Sequence, residues 1–479
     1  MDLDSMLRRR AFLSSASGGL GAIALGALGQ PLGSRTAAAA TATPDVASWP
    51  GVLQGFHVPP KAKRVIWLYM AGGMSHLDTF DHKPKLAEMH GQPMPESFTK
   101  GQQIAQLQGQ ALKCFAPQHA FRKAGASGQE ISEIFPEIST RIADRIAIVR
   151  GMHTEAINHD PAHTFMNTGA MVAGRPAAGA WTWYGLGSEA HDLPGFVVMV
   201  STGKFGQTQP IASRQWHSGF LPSRFQGVEF RSTGDAVHYV RPPAGITLSG
   251  QRAMLDAVTQ LDGLRNEVID DPEITARLAQ YELAFKMQTS VPELLDVSDE
   301  SPETLALYGT RGGDGSFAAN CLLARRLAER GVRFIQLYHR DWDHHSTVKD
   351  HVKGTAGEVD RGAAALIEDL ARRGMLDETL VVFGTEFGRT PMAQGNGRDH
   401  HMKAFSIWLA GGGIRPGISY GATDELGYGV VENPVTVHDL HATLLHLLGI
   451  DHLRLTFRAQ GRDFRLTDIA GNVVHDLLA

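Results

Sequence analysis

An α/β fold with a mostly parallel sheet flanked by helices is what this sequence predicts, on two observations. Apolar runs of strand length recur at 65–70, 146–149, 196–200, 332–338, 380–383 and 405–409, each bounded by turn signals. Segments of helical period lie between several of them. Strands that alternate with helices of ordinary length are the pattern of crossover connections, which join parallel strands. The 53 glycines among 479 residues supply the turns such a pattern needs.

In chain order, the first 42 residues stand apart from the fold. Arg8, Arg9 and Arg10 precede Phe12 and Leu13, a weakly apolar run of small residues follows, and an alanine-rich stretch at 37–42 offers a cleavage site. A positive start, a short apolar run and small residues at its end compose an export signal. The arginines before Phe-Leu resemble the twin-arginine type, which engages the twin-arginine export machinery. The expectation is a protein that is periplasmic or secreted once mature. The signal's apolar run is too short and too weakly apolar to span a membrane, and no later stretch qualifies.

Residues 43–479 then read as one α/β domain. Val359, Ala363, Leu366, Ile367 and Leu370 share one helical face. Arg372, Arg373 and Gly374 give that helix a basic last turn and a stop. A second helix over about 317–330 ends at Gly331 and feeds the next strand. The glutamine- and glycine-rich stretch near 91–128 reads as an insertion. So does the polar, acidic, helical stretch near 248–307, as a cover over one end of the sheet.

Composition excludes several functions. The 45 basic and 50 acidic side chains nearly balance, without the basic excess of a nucleic-acid binder. Two cysteines against 22 histidines exclude thiolate metal sites and disulfide scaffolds. Cys114 and Cys321 either pair or stay as two buried thiols. No phosphate-binding loop, nucleophile elbow, His-Glu-x-x-His or dinucleotide fingerprint is present.

Ligands of open α/β sheets bind beyond the carboxyl ends of the strands, and the polar clusters lie there. They are Gly72 to Asp81, His153 with His159, Asp160 and His163, His339 to His345, Thr385 to Arg389, and Arg398 to His401. Five clusters of His, Asp and Glu on one rim suit a divalent metal: Zn, Mn or Fe, with Ca where carboxylates dominate. Arg389 and Arg398 either bind an anion or pair with Glu386 and Asp399. His438, His441 and His446 read as packing and capping residues.

The segment from Val359 through Gly388, with its Asp377-Glu378-Thr379-Leu380-Val381-Val382 run, resembles the helix, strand and metal loop of the alkaline phosphatase and sulfatase superfamily. The helix near Val437–Leu445 resembles that superfamily's closing helix. More closely, nearly the whole mature chain resembles an exported bacterial family, the domain of unknown function 1501. Its hallmarks are matched by Gly72 to Asp81, Trp342-Asp343-His344-His345, Glu386 to Pro391, Gly397 to His401 and Gly461 to Arg465. The resemblance implies an alkaline phosphatase/sulfatase-like fold. It also implies metal ligation by Asp343, His345, Glu386 and His400, with Asp341 four residues before His345 as another superfamily-like position. Phe387 stands where a histidine ligand is expected. His159 stands at the nucleophile position, as nucleophile or general base, and Arg389 steadies an anion. His76 or Asp78 folds back to replace an aspartate missing from the end of the first strand.

Two functions follow from that resemblance. One is an exported metal-dependent hydrolase of sulfate or phosphate esters, acting on an anionic small molecule or glycan such as a polysaccharide. The other is a catalytically altered relative that binds an anionic glycan, a metal or an envelope partner. The metal reading requires the ligand side chains to lie within about 5 Å of a shared point.

Overall fold

The computed structural model describes residues 49–479 except 232, 235, 238–244 and 270; the export signal expected in the first 42 residues lies outside the described residues. Strand β1 (Arg64–Met70) is buried along its whole length, as a central parallel strand must be. It is followed by β2 (Ile146–Met152), helix α1 (His159–Thr168), β3 (Phe196–Ser201) and β4 (Val228–Phe230). Helices α2 (Leu248–Ile269), α3 (Pro272–Leu295) and α4 (Phe317–Glu329) lead into β5 (Phe334–His339). Helix α5 (Val348–Arg372), β6 (Thr379–Gly384), a hairpin of β7 (Gly388–Gln394) and β8 (Gly397–His401), β9 (Phe405–Ala410), β10 (Ser419–Tyr420) and helix α6 (Val437–Leu447) follow.

One sheet of eight strands runs in the order β10-β2-β9-β6-β1-β5-β3-β4. The β1 pairings with β5 and β6 are parallel, and β9 is antiparallel to both β2 and β6. The α/β class with a mostly parallel sheet is therefore the one observed. Alternation along β1 divides two cores. Ile66, Leu68 and Met70 join a cluster with α4 and α5, whereas Val65, Trp67 and Tyr69 join one with α1 and α6. Helices thus cover both faces, and the loops at the strand ends remain for chemistry.

Helix α3 is fastened to the loop before β3: Lys286 Nζ donates to the His191 carbonyl and Ser290 Oγ to that of Asp192. Those anchors lie at the amino end of β3, opposite the polar rim. Cys114 and Cys321 are separate buried thiols in different apolar clusters. His438 and His441 of α6 bond the carbonyls of Gly169 and Met166 at the end of α1, the packing and capping role expected of them. No described helix is long and apolar enough to cross a membrane.

The β7–β8 hairpin is locked to the loop after β1. Arg398 Nε lies 2.7 Å from Asp78 Oδ2, and neither side chain is exposed. The same guanidinium donates to the carbonyls of Phe115, Ala116 and Thr390. Arg398 thus pairs with Asp78 rather than Asp399, because successive side chains on a strand point to opposite faces. Asp78 is spent on this pair, and His76 bonds the Gly427 carbonyl, so neither replaces a ligand from β1. Arg398→Met leaves a buried carboxylate uncompensated and should cost about 3–5 kcal/mol in urea denaturation. Adding Asp78→Asn should recover part of that loss.

Candidate metal centre

The four side chains that meet come from two carboxyl-end segments and one hairpin strand. His159 opens α1, Asp343 and His345 lie in the loop after β5, and His400 lies on β8. A ring nitrogen or carboxylate oxygen from each lies within 4.8 Å of all the others. His345 Nε2 is 2.9 Å from His400 Nε2 and 3.0 Å from Asp343 Oδ1. Asp343 Oδ1 is also 3.2 Å from His159 Nε2 and 3.5 Å from His400 Nε2. Ligands on a tetrahedral Zn-sized ion are separated by roughly 3.3 Å, given bonds near 2.0–2.1 Å. The observed separations bracket that value.

The opposite nitrogen of each ring meets an acceptor. His159 Nδ1 lies 2.8 Å from Glu386 Oε1, and His400 Nδ1 lies 2.9 Å from the Ile157 carbonyl. His345 Nδ1 meets Gln394 Oε1. An imidazole that donates from Nδ1 presents a bare lone pair at Nε2. Three lone pairs and one carboxylate oxygen therefore converge, an arrangement that a cation satisfies. His159 Nε2 is buried and faces Asp343 Oδ1 at 3.2 Å, one candidate ligand atom toward another. The residues present fit a divalent ion.

Charge follows the same pattern. Burial disfavours ionised Asp343, but the adjacent His159, His345 and His400 rings and the Arg389 guanidinium hold its carboxyl well below the usual range. Burial lowers the pKa of His400 to about 4. Burial also opposes charging of His159, yet Asp343 and Glu386 raise its pKa. Buried Glu386 is lowered to about 2, against desolvation, chiefly by His163 and His159.

Asp343, His345 and His400 come together as expected, and His159 joins them. Glu386 does not join: it stands behind the His159 ring, fully buried, and forms a second group with His159 and His163. Its carboxylate accepts from Gly72 N–H and the Thr385 hydroxyl. His159 therefore does not stand opposite a ligand set as a free nucleophile, since both ring nitrogens face carboxylates. Arg389 is also buried: it bonds the Gly72 and Gly73 carbonyls and lies 2.5 Å from Asp343 Oδ1. It pairs with Asp343 rather than Glu386, because its β7 position lies opposite His400 on β8. Phe387 fills the expected histidine position as an apolar wall, its ring 5.0 Å from that of His159 and 4.7 Å from that of His400.

Asp341 is structural. With φ at 76°, it accepts the N–H groups of Phe205, Gly206 and Gln207. Gln207 then clamps Asp343 by bonding both its carbonyl and its N–H. Gln207 and Gln394 had no signal of their own in the sequence. The hairpin carrying Gln394 did have one, the Gly395-Asn396 pair at its two-residue turn.

The fold and this rim of histidines and carboxylates define an α/β protein with a candidate metal centre at the carboxyl ends of its strands. The sequence profile of one family, described as Protein of unknown function (DUF1501), matches residues 62–478, and the chain belongs to that family. No curated protein matches it. Among solved structures, it is similar to Ps i-CgsB in complex with k-i-k-neocarrahexaose (11% identity, 81% of this chain, 72% of that chain, TM-score 0.35). It is also similar to the lipoteichoic acid synthase LtaP from Listeria monocytogenes (9%, 88% and 79%, TM-score 0.36). A third is the PsFucS1 sulfatase from Pseudoalteromonas sp. (10%, 81% and 68%, TM-score 0.33).

The glycines after β1 set how closely this rim closes. Gly72 has φ of 127°, and a Cβ there would lie 2.6 Å from Asp343 N. Gly72→Ala should therefore cost about 1–3 kcal/mol, from strain and forced movement at Asp343. Thermal unfolding should show the loss.

Proposed function

We propose that the protein is an exported metal-dependent hydrolase of sulfate or phosphate esters, taking an anionic small molecule or glycan as substrate. One observation carries the reading: the convergence of three imidazole Nε2 atoms and Asp343 Oδ1, each imidazole backed by an acceptor at Nδ1. In this reading His159, Asp343, His345 and His400 hold a divalent ion (Zn, Mn, Fe or Ca). Glu386 orients His159, as carboxylates do behind metal-bound histidines. When bound, such an ion polarises an ester oxygen and makes water a better nucleophile near neutral pH.

The residues of this chain do the rest. With both nitrogens of His159 committed, water rather than a side chain is the attacking group. Arg389 holds Asp343 in place and adds positive charge beside it, which favours an anionic ester over a neutral one. Phe387 keeps one wall of the centre dry, so charges inside it interact strongly. The arginines and apolar run of the first 42 residues support export by the twin-arginine route to the periplasm or beyond.

A catalytically altered binder of anionic glycan, metal or an envelope partner is the second reading. It is favoured by His159 at the nucleophile position and by the ion pair that already neutralises Asp343.

Elemental analysis of the purified mature protein, with a screen of sulfate and phosphate esters, tests both. The first reading expects one metal per chain and turnover that is lost on chelation and restored by metal. His345→Ala and His400→Ala should abolish stoichiometric metal, and Glu386→Gln should weaken affinity by about 10–100-fold. Bound metal without turnover on any ester leaves the binder. A metal-free wild type that cannot be loaded overturns the metal centre.

A further inference from the structure

Two ligands of the candidate centre are tied to a segment outside it. The chain at 101–110, Gly-Gln-Gln-Ile-Ala-Gln-Leu-Gln-Gly-Gln, lies against the β7–β8 hairpin. Gln394, whose Oε1 meets His345 Nδ1, donates from its Nε2 to Gln106 Oε1 at 2.9 Å. The next residue makes a second tie. Leu107 N–H donates to Asp399 Oδ2 at 2.8 Å, and Asp399 Oδ1 accepts the N–H of His400 at 2.8 Å. Leu107 is buried in an apolar cluster with Leu77, Met94, Cys114 and Met392, whereas Gln106 is exposed.

We propose that Gln106 is a positioning residue of the metal centre, acting through the Gln394 amide on the proton of His345; this rests on the metal reading of the four-residue group. A primary amide has one accepting end and one donating end. Gln106 presents an oxygen, so the NH₂ of Gln394 faces it and the Gln394 carbonyl is left for His345. That carbonyl takes the proton on Nδ1 and leaves Nε2 bare toward Asp343 and His400. With the amide reversed, NH₂ faces Nδ1, the proton moves to Nε2, and the ring cannot ligate. In this orientation the Gln106–Gln394 pair holds the ligating tautomer of His345 from outside the centre. The Leu107–Asp399–His400 tie is a separate contact, made to the backbone N–H of His400.

A double-mutant cycle on the full mature protein tests this, with Zn²⁺ affinity measured by competition against a chelator. Neutral replacements keep the net charge near the ion unchanged. Gln394→Met should weaken Zn²⁺ binding by about 10–100-fold. Gln106→Met should weaken it by a smaller factor, roughly 3–10-fold, since it acts one bond further from the ring. In the Gln394→Met background, Gln106→Met should have no further effect, because the bond through which it acts on His345 is gone. Gln106→Glu, which keeps an acceptor facing Gln394, should restore affinity at high salt, where its added charge is screened. An equal Gln106→Met effect in both backgrounds, or none in either, overturns the proposal while leaving the metal centre standing. ¹⁵N NMR of the His345 ring in metal-free protein separates the two readings. If the wild type binds no Zn²⁺ but its Nδ1 proton is lost in Gln106→Met, the relay holds and the metal reading fails. If that proton does not respond, the relay fails as well.

Discussion

The structure at the strand ends turns on one half-buried carboxylate. Asp343 keeps its charge amid three imidazoles and a guanidinium, against the desolvation that would otherwise neutralise it. Every nearby group is arranged around that charge. Gln207 clamps its backbone from a loop that Asp341 holds, and Arg389 grips its side chain from β7. The three histidines approach the same carboxylate oxygen from α1, the β5 loop and β8. A concentration of negative charge and lone pairs is stable only with positive charge at its centre or rim. Arg389 supplies some at the rim, and the ligand geometry suits an ion at the centre.

The backing of each ring gives this arrangement its chemical sense. All three are held at Nδ1, by a carboxylate, a backbone carbonyl and an amide, so that their Nε2 atoms point at one another. Of those three, only the amide can reverse its polarity by rotating. Glu386 and the Ile157 carbonyl admit one tautomer at His159 and His400, so His345 is the adjustable member. Its partner Gln394 sits at the hairpin end, where the 101–110 strap docks.

Much of this was legible in the chain. The six strand-length apolar runs became strands of the main sheet, and the helices at 317–330 and around 359–370 were observed with longer or slightly shifted ends. Asp343, His345 and His400 were named as one ligand set and do meet. The rest was hidden for identifiable reasons. Glu386 is near its expected place in the chain, but Gly72 N–H and Thr385 draw its carboxylate behind His159. Arg389 and Arg398, read as anion binders or as partners of Glu386 and Asp399, pair with Asp343 and Asp78 instead; for Arg398 the reason is that a strand sends adjacent side chains to opposite faces. Gln207 and Gln394 are ordinary surface residue types until the fold brings their amides to Asp343 and His345.

By itself the sequence determined the α/β class, the strand-end address of the histidines and carboxylates, and membership in a family that shares them. Those are properties of periodicity and of residue type at a spacing, and they survive reading in one dimension. Only the tertiary structure decided which side chains face one another across β1, β5 and the hairpin. It decided which nitrogen of each ring is free, and that Glu386 and Arg389 support the centre rather than face its opening. Such assignments depend on distances of about 3 Å between residues more than 200 positions apart, as for His159 and Glu386. A hydrogen bond weakens steeply beyond that range, and sequence spacing carries no information on that scale.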